Sequence, residues 1–118
     1  MFIKALKAKI HRATVTETRL DYPGSIAVDV ELMEAAGILP YEAVLMANVT
    51  SGARAETYIV PAPAGSGEVS VLGAAARLFN PKDIIIVINF AYYTPDEVKK
   101  LKPRVVICGE DNKIKEIL

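Results

Sequence analysis

Tryptophan is absent from this sequence, and cysteine and histidine occur once each. With Cys108 alone, no intrachain disulfide can form and no cysteine-rich zinc site exists. A single cysteine closing the apolar stretch Arg104 to Cys108 reads as a small buried hydrophobe. His11 has no cysteine or second histidine to join, so no metal site is expected. An excess of charge is missing too: 14 Lys and Arg balance 14 Asp and Glu. A balanced chain offers no broad basic face, which argues against nucleic-acid binding. Long apolar runs are also lacking. The longest, Ile84 to Ile88, falls far short of the ~20 residues that a membrane helix needs. The first residues are apolar only at every second or third position, unlike a signal peptide. The cytoplasm is therefore the expected compartment. With no repeat, low-complexity tract or linker, residues 1–118 are expected to form a single domain.

What the chain does have is apolar residues, 52% of the total, which is rich for a small domain and hints at buried subunit interfaces. Residues 2 to 18 alternate roughly, as a strand does, with Lys9 and His11 on related positions. Strands are expected at Ile26 to Val30, Ala43 to Val49, Ala55 to Pro61, Glu68 to Leu72, Asp83 to Tyr92 and Arg104 to Cys108. Ser51-Gly52 marks a hairpin turn, and Pro61 to Gly67 a loop. Ile84 to Ile88 is apolar at every position and predicts a strand buried on both faces. Glu31 to Ala36 predicts a short helix stopped by Gly37. Thr94, Pro95 and Glu97 predict a capping box with proline at the first helical position, the helix ending near Leu101. Asp111-Asn112 is a turn before the last residues. Seven or eight short strands with two short helices and no repeated βα unit point to a mainly β fold, a closed or nearly closed barrel.

One dipeptide carries chemistry. In Tyr22-Pro23-Gly24-Ser25 the ordinary reading is a turn. The sharper reading is a bond that breaks itself. The Ser25 hydroxyl attacks the Gly24 carbonyl, which no side chain shields, and moves the acyl group from nitrogen to oxygen. Elimination of that ester leaves a dehydroalanine, which hydrolyses to a pyruvoyl group. The dipeptide alone does not choose between these readings.

Eight segments bear on the choice. Lys9-Ile10-His11-Arg12-Ala13, Tyr22-Pro23-Gly24-Ser25, Ala35-Ala36-Gly37-Ile38, Asn48-Val49-Thr50, Gly52-Ala53-Arg54, Thr57-Tyr58, Gly73-Ala74-Ala75-Ala76 and Gly109-Glu110-Asp111-Asn112 follow in this order. Together they resemble the bacterial aspartate 1-decarboxylases, pyruvoyl enzymes of pantothenate biosynthesis. The likeness runs over essentially the whole chain. It implies a double-psi β-barrel and a homotetramer with the site at a subunit interface. It implies autocatalytic cleavage between Gly24 and Ser25 into 1–24 and 25–118, and conversion of L-aspartate to β-alanine and carbon dioxide.

The resemblance assigns roles residue by residue. Ser25 becomes the covalent pyruvoyl cofactor, with no metal, and its ketone forms a Schiff base with the substrate amine. Tyr58 is the proton donor, a sensible acid since a phenol stays protonated at neutral pH. Lys9 and Arg54 are candidates to hold substrate carboxylates. In a regular strand Arg54 and Tyr58 share a face, whereas Thr57, implied in processing and substrate contact, points the other way. A bulge, or a site wrapped by several segments or subunits, would reconcile them. Gly73, Ala74 and Ala75 resemble the substrate loop, where small residues let backbone N–H groups approach an anion. The family usually has asparagine just before them, whereas this chain has Leu72, which neither donates nor accepts. His11 and Tyr22 are expected to support the site. Two rivals stand beside this reading: a non-processing barrel that serves as a binding module, and a Ser25–His11 esterase, for which no nucleophile-elbow pattern is present.

Overall fold

The computed structural model describes all 118 residues. Nine strands carry the fold: β1 (Ile3–Thr14), β2 (Glu17–Arg19), β3 (Ser25–Asp29), β4 (Ala43–Asn48), β5 (Arg54–Ala62), β6 (Val69–Leu72), β7 (Ile84–Tyr93), β8 (Arg104–Cys108) and β9 (Ile114–Ile117). Helix α1 (Val30–Ala36) follows β3, and helix α2 (Pro95–Lys99) follows β7. Short 3₁₀ turns occupy Ala74–Leu78 and Glu110–Asn112. Hydrogen bonding links the strands in the order β2-β6-β3-β5-β4-β7-β1-β8-β9. Parallel pairs (β1 with β8, β2 with β6, β3 with β5) are interleaved with antiparallel ones. This mainly β arrangement, wrapped around one core with a few short helices, is compatible with the double-psi β-barrel.

Local signals explain the element ends. Asp29 caps α1 by accepting from Glu31 N at 2.9 Å. Gly37 closes it at φ 70°, a left-handed conformation that glycine takes without steric cost. Around α2 the capping box is complete: Thr94 Oγ1 accepts from Glu97 N at 3.2 Å, and Thr94 N donates to Glu97 Oε1 at 2.7 Å. The core is a cluster of 21 buried residues, with Ile10, Ile26, Met46, Ile59, Ile85 and Val87 among its fully buried members. Such a cluster supplies the main favourable term in folding.

Two expectations change. Within one chain β7 is buried on a single face: Ile85 and Val87 point inward, while Ile84, Ile86 and Ile88 stay partly exposed. A barrel strand has a core on one side only, so the second apolar face of β7 stays half exposed within the chain. The last residues also do more than follow a turn. Ile114–Ile117 adds β9 to β8, with all four residues exposed and no buried face to betray it in the sequence.

Candidate active site

The site is set by strand register. Paired residues on neighbouring strands point to the same face. Leu72 of β6 pairs with Arg19 of β2 on one side and with Ser25 of β3 on the other. The β3–β5 ladder begins at Ile26 with Ile59, and one residue earlier the same register sets Ser25 beside Tyr58. Arg19, Leu72, Ser25 and Tyr58 thus form one row across four adjacent strands. The row behind them, Val71, Ile26 and Ile59, is buried in the core. Arg19, Leu72, Ser25 and Tyr58 face outward into an open cleft of about 520 Å³, which Tyr22, Glu17 and Glu68 also line. Its floor is a small apolar cluster of Ala27, Ala62 and Leu72 against Val60.

Ser25 is buried, and its hydroxyl makes no side-chain hydrogen bond within the chain, although the residue lines the cleft. The Gly24 backbone is closely packed by Gly73. Gly73 adopts φ 85° and ψ −155°, a region essentially reserved for glycine. A Cβ there would lie 2.5 Å from Gly24 Cα and 3.0 Å from Tyr22 O. Gly73 is therefore packed directly against Gly24, the residue before Ser25. Its N–H donates to Arg19 O at 2.7 Å and is already spent. Ala74 and Ala75 begin the 3₁₀ turn, which is short, and neither lines the cleft. Gly24 differs from Gly73: a Cβ on it would meet only Leu72 O, at 3.9 Å. Packing does not demand glycine at position 24.

Thr57 and Tyr58 do point to opposite faces, and no bulge interrupts β5 from Arg54 to Tyr58. The tension therefore stands within one chain. Continued one residue back, the β3–β5 register sets Tyr58 level with Ser25, while Thr57 pairs with the buried Val44 and does not line the cleft. The Tyr58 ring tilts at 43° against Tyr41, with centroids 6.5 Å apart.

The cations Lys9 and Arg54 are not in this cleft, nor is His11. Arg54 pairs with Ala47, Ala47 with Ile86 and Ile86 with His11, so these lie in one outward row across β5, β4, β7 and β1. Lys9 occupies the adjacent row with Ile88 and Leu45. These polar groups stand on the half-exposed apolar face of β7, where Phe90 and Tyr92 are also exposed. Burial, then the charges of Lys9 and Arg12, hold the His11 imidazole below its usual range, so it is neutral at pH 7. No group of three or more His, Cys, Asp or Glu is placed to hold a metal ion.

This geometry meets what the sequence is similar to. A model of the aspartate decarboxylase family matches residues 1–115. The aspartate 1-decarboxylase of Pelotomaculum thermopropionicum is 51% identical, covering 99% of this chain and 89% of that protein. The chain belongs to the aspartate decarboxylase family. Two further members agree: the aspartate 1-decarboxylase of Carboxydothermus hydrogenoformans is 51% identical over 99% of this chain and 92% of its own. That of Caulobacter vibrioides is 48% identical over 98% of both. In this family member the cleft holds three charged residues that sequence reasoning did not single out: Glu17, Arg19 and Glu68. Their only signal is the pairing of β2 with β6, a contact between residues some fifty positions apart.

Proposed function

We propose that this chain converts L-aspartate to β-alanine and carbon dioxide with a pyruvoyl group made from its own Ser25. Decarboxylation of aspartate follows from family membership. The observation that carries the self-made cofactor is the row itself. Ser25 opens a strand with an unengaged hydroxyl, Tyr58 stands beside it, and Gly73 presses on Gly24.

In this reading the Ser25 Oγ forms a bond to the Gly24 carbonyl carbon and the Gly24–Ser25 C–N bond breaks. Loss of the Ser25 α-proton with the ester then leaves a Gly24 carboxylate and dehydroalanine, and water releases ammonia from the latter. Thr57 orients the Gly24 carbonyl in this reading. The pyruvoyl group supplies a ketone beside an amide carbonyl, an electron sink for the bond to departing carbon dioxide. The site fits such a group, since Ser25 backs on an apolar floor and opens to a cleft roomy enough for a four-carbon amino acid. Tyr58 holds a proton over that position and returns it to the carbon left by the carboxylate. Tyr22 walls the cleft against solvent. The apolar side chain of Leu72, between Ser25 and Arg19, excludes water rather than hydrogen-bonding.

A homotetramer completes the arrangement. The uncovered face of Ile84, Ile86, Ile88, Phe90 and Tyr92 calls for a second copy. Lys9, Arg54 and His11 stand on that face, so assembly brings them to a neighbour's cleft, with the Gly73–Ala74–Ala75 segment at its edge. No helix is long and apolar enough to cross a membrane, and the cytoplasm is the compartment of this reading.

Denaturing mass spectrometry tests it. Fragments of residues 1–24 and 25–118 are expected, the larger beginning with pyruvoyl, and Ser25→Ala should remain one chain and be inactive. A wild-type protein that stays intact on prolonged warming would overturn the proposal and leave a non-processing barrel.

A further inference from the structure

We infer that Arg19 is a substrate-binding residue, which exchanges Glu17 for the retained carboxylate of a dicarboxylic substrate. The inference rests on the decarboxylase reading of the cleft and adds a specificity determinant to it. Arg19 is the one lysine or arginine among the residues lining the cleft. It shares the row of Ser25, separated by Leu72 alone. Two strand spacings put the backbones of Arg19 and Ser25 about 10 Å apart. A guanidinium side chain and a four-carbon dicarboxylate together bridge that distance.

The guanidinium is also already oriented for an anion. Its Nε donates to Glu17 Oε1 at 2.8 Å, and its Cζ lies 5.9 Å from the centre of the Tyr22 ring. Both partners are about half exposed, so the pair is held weakly and open to exchange. Nε alone is engaged in a hydrogen bond, while the guanidinium carries five N–H donors in all. Glu17 is thus an internal stand-in for a carboxylate ligand. The third charged residue, Glu68, accepts from Ser70 Oγ at 2.9 Å. With two carboxylates and one guanidinium the empty cleft is net acidic, so an anionic substrate enters only by taking over Arg19 or by meeting cations from a second subunit. Lys9 and Arg54 answer the second need, and Arg19 is positioned for the first.

The test uses the processed holoenzyme. In Arg19→Gln, cleavage into the two fragments should be intact. KM for aspartate should rise about tenfold, the scale of a lost charged hydrogen bond. The inhibition constant of succinate, which has two carboxylates and no amine, should rise in parallel, with kcat within about twofold of wild type. Arg19→Lys should recover part of the loss, since a lysine keeps the charge without the fork. Glu17→Gln, which removes the competitor, should lower KM. Unchanged KM and succinate inhibition in Arg19→Gln would overturn the assignment, as would a fall in kcat at constant KM or a rise of KM in Glu17→Gln. Failure of the wild type itself to cleave or to decarboxylate would instead sink the underlying reading of the site.

Discussion

The two ends of β3 lie four residues apart, are equally buried, and behave oppositely. At its end Asp29 is saturated. Its carboxylate accepts from Glu31 N, Gly65 N and Gly67 N at 2.9, 3.1 and 2.9 Å, tying the 63–67 loop to α1. At its start the Ser25 hydroxyl has no such partner and faces a cleft. A buried carboxylate that accepts three backbone donors holds a fold together. A hydroxyl with no partner in the chain, opening on a cleft, is available to a ligand or to water. The same contrast separates Gly24, which has room for a side chain, from Gly73, which has none.

Gly73→Ala should have the largest effect. It would place a methyl group onto the Gly24 backbone in a conformation only glycine tolerates. Cleavage should be lost, as seen by intact mass of the folded protein. Normal cleavage in this variant would erase the difference between the two glycines. Tyr58→Phe comes next. It should cleave as wild type does but turn over about 10² to 10⁴ times more slowly, the range of a positioned general acid. Measured turnover equal to wild type would remove Tyr58 from the chemistry.

Changes at the other end of the strand should be thermodynamic. Asp29→Ala should cost about 3 kcal/mol of unfolding free energy, because three backbone donors lose their acceptor. Cleavage of the folded fraction should persist. Burial works against the Asp29 charge, but the backbone hydrogen bonds from Gly67, Glu31 and Gly65 outweigh it and hold its carboxyl below the ordinary range. The folded-state value is therefore lower than the unfolded one. Its contribution is fully present above about pH 4 and lost as pH falls through the folded value. The Tm of wild type should fall more steeply on acidification than that of Asp29→Ala. Parallel curves would mean that Asp29 is no latch.

Much of the fold was legible because its signals are local. The capping box at Thr94, the stop at Gly37 and the alternation of β5 each depend on neighbours in sequence. What stayed hidden depends on distant pairing. β9 has no buried face, and β7 looked doubly buried because an apolar run does not say how many of its faces the chain itself covers. At the site the sequence singled out Ser25, Tyr58 and Thr57 but set the last two at odds. Only the parallel register of β3 on β5 puts Tyr58 level with Ser25, while Thr57 stays on the opposite face beside Val44. Arg19 went unnoticed because nothing near it in sequence marks it.

By itself, then, the sequence determined the residue types and a candidate reactive bond: a serine after an unshielded glycine, a later tyrosine proposed as proton donor, and a single cysteine that excludes an intrachain disulfide. The tertiary structure decided which of these stand together. It placed Arg19, Leu72, Ser25 and Tyr58 in one row and moved Lys9, His11 and Arg54 to an uncovered face. Strand pairing joins residues by register rather than by separation along the chain, so four strands from four parts of the sequence meet at one cleft.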